Sequence, residues 1–287
     1  MSGSHKRAYW PAVGLAALSV LAVPAAVVAR QAIDPYAMLV VKADKEHRLY
    51  PPVTDIDPDI SEQRSYELQR QIVAAKLAHR DAIAGYKAGL MTPASQKLRQ
   101  ANGPIFGVLL RSGAVARPAT LALKDYRTMV LECEIGFVFS KRISKPVADV
   151  ATLKRAIGAV RPTIEVPDVA YARTPYSVRD MIASNVSAAR YIYGRSMPLA
   201  KAGDLNRIDP VLFHGDRQIA AGHATDALGD QWRALLAIVN LAVGQGYVIE
   251  PRQTIITGAL ALKIAPEAGD YRADFGPLGE LRFTVAP

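Results

Sequence analysis

At 287 residues the chain is long enough to bury a sizeable core, and with half its residues hydrophobic and 21% charged it is not a disordered chain. Its formal net charge is +9, but the lysines and arginines are scattered and no basic run is interleaved with aromatics, so nucleic-acid binding has no support. The charge supports only a mild attraction to anionic substrates or membrane surfaces.

The N-terminus carries Lys6 and Arg7 with no acid, and Pro11 to Ala29 is an uncharged apolar run. Val27-Val28-Ala29 offers small residues at the positions that precede a cleavage site, the layout of a secretory signal peptide. The run is also near the lower length for a membrane-spanning helix, so an uncleaved N-terminal anchor is the other reading. Basic residues before the run hold the N-terminus in the cytoplasm, so both readings export the body of the protein to the periplasm or beyond.

Residues 30–60, with Pro35, Pro51, Pro52 and Pro58, read as a connector with a short helix around Ala37 to Asp44. Ser61 to Ala78 reads as an amphipathic helix capped by Ser61, with Tyr66, Ile72, Val73 and Leu77 near one face. Ile83 to Leu90 reads as a short strand whose glycines point to close backbone approach. Lys87 within it reads, on its own, as an edge or snorkelling lysine. Thr92 and Pro93 are a helix cap and first helical residue, and that helix ends before Gly103-Pro104.

Val130 to Phe139 reads as a buried strand, because β-branched and aromatic residues surround its acids. Side chains on a strand alternate, so Glu132 and Glu134 share one face and Cys133 takes the other. Cys133 is the only cysteine and no histidine is near it in sequence, so it reads as a small core residue rather than a nucleophile. A third acid, Glu165, follows in a second apolar run, Arg161 to Val166. Three carboxylates from two strands form a hard oxygen set suited to Mg²⁺ or Mn²⁺. An edge strand with two solvated acids is the alternative.

Asp149 to Val160 reads as a helix between the two acidic strands, and Arg179 to Asn185 as another, followed by a strand from Ala189 to Tyr193. Val211 to His214 and Gln218 to Ala221 form a hairpin around Gly215-Asp216. Asp230 to Val243 is an amphipathic helix stopped by Gly244 and Gly246. Thr254 to Gly258, Asp274 to Gly276 and Leu281 to Val285 close the chain as β structure. His79, His214 and His223 are isolated and read as surface or hydrogen-bonded histidines.

With these segments placed, the chain resembles the fumarylacetoacetate hydrolase superfamily, and within it the 2-keto-4-pentenoate hydratase and oxalocrotonate decarboxylase branch. Gly85-Tyr86-Lys87-Ala88-Gly89-Leu90 is similar to that branch's G-x-K-x-G-L segment, and Glu132-Cys133-Glu134-Ile135 to its E-x-E-I strand. Pro162-Thr163-Ile164-Glu165 resembles its P-x-(I/L)-E segment, and Ala183-Ser184-Asn185-Val186-Ser187 its A-D-N-x-S segment. Ile256-Thr257-Gly258-Ala259 and Ala273 to Gly279 fit its last two motifs, so order and spacing hold from about Ser61 to the end.

The resemblance implies an α/β mixed fold (α+β), a mixed β-sandwich roll with flanking helices over 61–287, which follows the signal or anchor read at 1–29 and the connector read at 30–60. It implies a divalent ion, Mg²⁺ or Mn²⁺, on Glu132, Glu134 and Glu165. Such an ion would chelate a small 2-oxo acid and stabilise its enolate as a Lewis acid. Lys87 would hold the substrate carboxylate or move a proton, Ser187 and Thr257 would supply hydroxyl contacts to the substrate, and the protein would be a homo-oligomer. The reaction implied is hydration of a 2-hydroxy-2,4-dienoate, with decarboxylation of a related oxo-diacid as a close variant, in the catabolism of aromatic compounds. Two positions depart from the pattern. Ile105 stands where relatives have an Asp before Phe-Gly, and Ser184 stands where they often have Asp. Those departures, with the export signal, make a non-catalytic exported metal- or oxo-acid-binding protein the alternative.

Overall fold

The alternation around Glu132 sets the architecture. The computed structural model describes Met1, residues 32–260 and residues 263–287, and residues 33–287 form one compact unit. The apolar run from Pro11 to Ala29, expected as signal or anchor, lies outside the described residues. Among the described residues no helix is long and apolar enough to cross a membrane.

Strand β4 (Glu132–Phe139) is central, not an edge: it pairs antiparallel with β5 (Ile157–Val166) on one side and with β10 (Thr254–Ile256) on the other. Beyond β10 lie β1 (Ile83–Gly89), parallel to it, and β2 (Ile105–Leu110); beyond β5 lie β6 (Arg190–Tyr193) and the short β7 (Met197–Pro198). The two ends of this sheet then meet. Ala114, just past β2, bridges Tyr191 of β6, the Val115 N–H donates to the Tyr191 carbonyl at 2.9 Å, and the Tyr191 hydroxyl donates to the Leu110 carbonyl at 2.9 Å. The sheet is thereby curled into a roll with an inside and an outside.

The ladder registers say which residues face inward. Lys87 pairs with Gly107 and with Ile256, Ile256 with Gly136, and Glu132 with Glu165, so all of these share the inner face with Glu134. The outer face carries the apolar alternates, among them Tyr86, Phe106, Cys133, Phe137 and Ile255. It packs under α2 (Glu62–Leu77) and α6 (Gln231–Gly244), with Tyr66 stacked on Phe106 and Trp232 edge-on to Phe137. The second sheet has the order β3 (Ala119–Ala122), β12 (Glu280–Ala286), β11 (Gly269–Asp274), β8 (Val211–His214), β9 (Arg217–Ala221). Its β12 lies against β5.

Several sequence readings hold at the level of caps. Ser61 accepts from the Arg64 N–H, and Thr92 forms a capping box with Ser95 ahead of α3 (Pro93–Arg99); the structure adds a cap at Asp230, which accepts from the Arg233 N–H. One helix is corrected. Asp149 to Val160 is helical only at α4 (Val150–Lys154); from Ile157 the chain is strand β5, because ten residues there find a continuous ladder on β4. Tertiary pairing overrides the weak helical spacing of Leu153, Ile157 and Val160. Residues 33–60 are more than a connector. Helix α1 (Pro35–Lys45) and the turn after it build a second apolar cluster from Tyr36, Val40, Val53 and Ile60 with Leu68 and Ile72 of α2.

Candidate active site

Three carboxylates meet inside the roll. Glu132 and Glu134 project inward from β4 and Glu165 from β5, and one oxygen of each lies within 4.8 Å of the others. Glu134 and Glu165 are fully buried and Glu132 is nearly so. Lys87 reaches in from β1. Its ammonium sits 2.6 Å from Glu165 Oε1 and donates to the Val186 carbonyl at 3.2 Å. Lys87 is 3% exposed, so the edge or snorkelling reading is overturned: its head as well as its stem is inside the roll. A second ammonium, Lys263, lies 2.8 Å from Glu132 Oε1 with its side chain largely exposed.

Backbone geometry serves this cluster at two points. Gly258, at φ +96, donates its N–H to Glu134 Oε2 at 2.6 Å, and a Cβ there would fall 2.5 Å from Met91 Cγ. Gly107 leaves room where a Cβ would come 2.7 Å from the Asn185 carbonyl and 3.1 Å from Lys87 Cγ. The segment that fills this space follows α5 (Val178–Ala183). Asn185, Val186 and Ser187 all hold positive φ, between 53° and 59°, a costly run for a β-branched residue. Asn185 secures it by clamping Val108 of β2, accepting from its N–H at 2.7 Å and donating to its carbonyl at 2.9 Å. The strained run is what aims the Val186 carbonyl at Lys87.

The electrostatics are unbalanced. Burial first, then the charges of Glu165 and Glu132, hold the Glu134 carboxyl well above the usual range. Burial also raises Glu165, against the pull of Lys87. Burial would raise Glu132 too, but Lys263 and then Lys87 outweigh it and the net shift is downward. Among the described residues, Glu134 Oε1 and Glu165 Oε2 have no hydrogen-bond partner. Buried oxygens without partners beside like charges are an arrangement that a hard divalent cation resolves. The donor set therefore fits Mg²⁺ or Mn²⁺. Cys133 faces away, and burial followed by the neighbouring glutamates pushes its thiol up to about 12, which rules out a thiolate nucleophile at neutral pH.

A cavity of about 290 Å³ opens onto Glu132 and is lined by Leu90, Met91, Thr92, Gly258 and Lys263. The hydroxyls expected at the substrate do not converge here. Thr257 is fully buried and its hydroxyl is 2.6 Å from Gln231 Oε1, a residue that the sequence reading missed because it lies on the buried face of α6. Ser187 lines a separate cavity of about 310 Å³ with Arg127, Asp168 and Asp44. The αL run brings the Val186 carbonyl to Lys87, while Ser187 lines this other cavity. Ser184 bonds the Tyr171 hydroxyl and the Asp180 carbonyl, away from the acids. Ile105 is buried on the Lys87 face, opposite Gly89 in the ladder. Lys263 gave no signal in the sequence beyond being a single cation in an apolar stretch.

No family model matches the chain. It is 27% identical over 230 residues to a 4-oxalocrotonate decarboxylase of Pseudomonas sp, covering 80% of this chain and 89% of that protein. It is 25% identical over 251 residues to a 2-keto-4-pentenoate hydratase of Paraburkholderia phymatum, covering 87% of this chain and 96% of that one. The fold superimposes on the 4-oxalocrotonate decarboxylase of Pseudomonas putida G7, solved with magnesium and adipate, with a TM-score of 0.82 at 24% identity over 87% of this chain and 95% of that one. A fumarylpyruvate hydrolase of Pseudomonas aeruginosa, solved with Mn²⁺ and pyruvate, matches at TM-score 0.51 and 12% identity over 70% of this chain and 88% of that one. The chain thus has the fumarylacetoacetate hydrolase fold, and its relatives in sequence are enzymes of the hydratase and decarboxylase branch.

Proposed function

We propose that this chain is a metal-dependent hydratase, a carbon–oxygen lyase that adds water to a 2-hydroxy-2,4-dienoate or 2-oxo-4-enoate acid. The observation that carries the reading is the meeting of Glu132, Glu134, Glu165 and Lys87 inside one buried site beside a small cavity. Mg²⁺ or Mn²⁺ held by the three glutamates supplies Lewis-acid stabilisation to the oxygens of a 2-oxo acid. Everything else falls to the chain. Lys87 presents a proton at Nζ, fixed between Glu165 and the Val186 carbonyl, to the substrate carboxylate or to the carbon being protonated. Leu90 and Met91 give the cavity beside Glu132 apolar walls.

Decarboxylation of a related oxo-diacid is the second reading, favoured by relatives of that name at the same level of identity. Turnover of 2-hydroxypenta-2,4-dienoate with added Mg²⁺ or Mn²⁺, followed by loss of dienol absorbance and by NMR of the product, tests the proposal. A 4-hydroxy-2-oxo acid supports hydration. Release of CO₂ from an oxo-diacid without hydration of the dienoate supports the second reading. Metal binding without either reaction supports a non-catalytic oxo-acid-binding protein. An exported working place remains part of the proposal on the basic-then-apolar layout of residues 6–29 alone, and N-terminal sequencing of protein from the native host tests it.

A further inference from the structure

The cavity that Ser187 lines has no part in the reaction above. It encloses about 310 Å³ and is walled by Asp44, Lys76, Arg127, Asp168 and Arg190. A second cavity, of about 550 Å³, shares Lys76, Leu110 and Ser112 with it and adds Arg80, Asp81 and Arg111. The three acids of this pair of cavities are already satisfied. Asp168 Oδ1 accepts from the Arg127 and Thr128 backbone N–H groups at 2.8 and 2.9 Å, and its Oδ2 accepts from Arg127 Nε at 2.8 Å. Asp44 accepts from Lys76 Nζ at 2.6 Å and from Arg127 Nη1 at 2.9 Å. Asp81 accepts from the Ala82 and Ser112 N–H groups at 2.8 and 3.1 Å and from the Ser112 hydroxyl. The cations are not satisfied in the same way. Arg190 donates one N–H to the Ser112 carbonyl at 2.7 Å, and among the described residues neither it nor Arg80 nor Arg111 forms an ion pair with a carboxylate. Five cations thus meet three occupied carboxylates, an excess of two positive charges in one recess.

We propose that this recess is a second ligand site, separate from the acid cluster, that binds a phosphate group. A phosphate dianion matches the charge excess, and guanidinium groups offer it paired N–H donors in a fixed fork. Arg127 is the fixed positive wall, with its side chain only 10% exposed and locked between Asp44 and Asp168. The place of the recess in the fold links it to the chemistry. Ser184, Asn185 and Ser187 line it, and the Val186 carbonyl within that segment accepts from Lys87. Three consecutive residues at positive φ are held there against their preference. A phosphate beside Ser187 and Arg190 adds contacts that exist only while the segment is held. The bound anion therefore braces the segment, and with it the acceptor that fixes Lys87.

The test is calorimetric titration of the full chain with inorganic phosphate and with acetate at physiological salt, once in EDTA and once with saturating Mg²⁺. Wild type should bind phosphate with a Kd of about 1 mM or tighter in both conditions. Acetate, with one charge, should bind roughly tenfold more weakly or less. Arg190→Met removes an exposed side chain and should weaken phosphate by about tenfold, the scale of a charge-assisted hydrogen bond. Arg190→Lys should recover part of that loss. Amide hydrogen exchange is the second readout: phosphate should slow exchange over residues 184–189 in wild type and not in Arg190→Met. Neither readout measures turnover, so the result is independent of which acid the enzyme works on. No phosphate binding, equal Kd in wild type and Arg190→Met, binding that requires Mg²⁺, or acetate bound as tightly as phosphate would each overturn the site. Phosphate bound through Arg190 with no slowing over residues 184–189 would overturn its link to Lys87.

Discussion

Lys87 and Glu165 stand on strands at opposite sides of the roll, and their side chains meet at 2.6 Å across its interior. Along a flat sheet three strand spacings would separate β1 from β5 by roughly 14 Å. Closure at Tyr191 removes that distance, so the ion pair depends on the roll and not on neighbouring strands. A buried pair of this kind is costly to break by halves, since the partner left behind has no water.

The first prediction follows from that pair. Lys87→Met should lower turnover of a dienoate by on the order of a hundredfold, the scale of a general acid–base group. It should also reduce the stability of the metal-free protein by about 3 kcal/mol near pH 8, because Glu165 loses its buried partner. Removing a positive charge beside three carboxylates should strengthen Mn²⁺ binding. Denaturation with and without EDTA and calorimetric Mn²⁺ titration read the two effects separately. A variant that keeps full turnover would remove Lys87 from the chemistry.

A second prediction concerns Glu134 and pH. Its folded pKa is raised, so the folded state binds a proton that the unfolded state has already released. Its contribution to stability is therefore full below the ordinary carboxylate pKa and is lost as pH rises toward the folded value. Glu165 is raised too and acts in the same sense, whereas Glu132 is lowered and its contribution is lost as pH falls. Metal-free protein should thus lose thermal stability as pH rises above about 4.5, the normal glutamate range, and Mn²⁺ should restore it. Glu134→Gln should flatten the rise-linked loss and abolish tight Mn²⁺ binding. A melting temperature in EDTA that climbs steadily from pH 5 to 8 and does so equally in Glu134→Gln would contradict this account.

How much of this could be read from the sequence depends on the range of the interaction. The inward set of Glu132, Glu134 and Glu165 was legible, because alternation on a strand is a local rule and a cluster of apolar neighbours marks burial. The caps at Ser61 and Thr92 were legible because capping too is a local rule. Strand β5 was misread at its start because Ile157 to Val160 has no local preference strong enough to declare itself before β4 pairs with it. Strands β2 and β3 were not read at all. Lys263 reaches Glu132, and Gln231 reaches Thr257, through long-range packing that no spacing rule foretells. Ser187 shows the limit of motif transfer, because its neighbour's carbonyl, that of Val186, meets Lys87 while Ser187 itself lines a separate cavity.

A third prediction separates those two roles. Asn185→Ala removes both hydrogen bonds to Val108 and should cost about 2 kcal/mol or more, since it orphans two buried backbone groups. It should also loosen the Val186 carbonyl from Lys87 and so lower kcat more than it raises KM. Ser187→Ala should leave kcat and KM within about twofold of wild type, in keeping with a half-buried residue that lines a separate cavity. Steady-state kinetics on the same dienoate, with circular dichroism melts, distinguish the two. Equal losses in both variants would mean that the Ser187 hydroxyl reaches the substrate after all.

The last prediction turns on Ile105. It is 2% exposed, pairs with Gly89, and lies on the inner face two residues along β2 from Gly107, the partner of Lys87. Diagonal neighbours on one face have Cβ atoms roughly 7–8 Å apart, within reach of a lysine side chain. An apolar group there offers no proton, so Lys87 is the one titratable side chain that this part of the face supplies. Ile105→Asp places a carboxylate beside the strained Asn185–Ser187 run and within reach of the Lys87 ammonium. Burying that group should destabilise the protein by about 2 kcal/mol or more, measured by denaturation in the presence of Mn²⁺. The second acid–base group should raise hydration of 2-hydroxypenta-2,4-dienoate by up to a hundredfold. Mn²⁺ affinity should be little changed, because the metal-facing carboxylates are untouched. If wild type and Ile105→Asp both bind Mn²⁺ and both leave the dienoate unreacted, the lyase reading gives way to the oxo-acid-binding one.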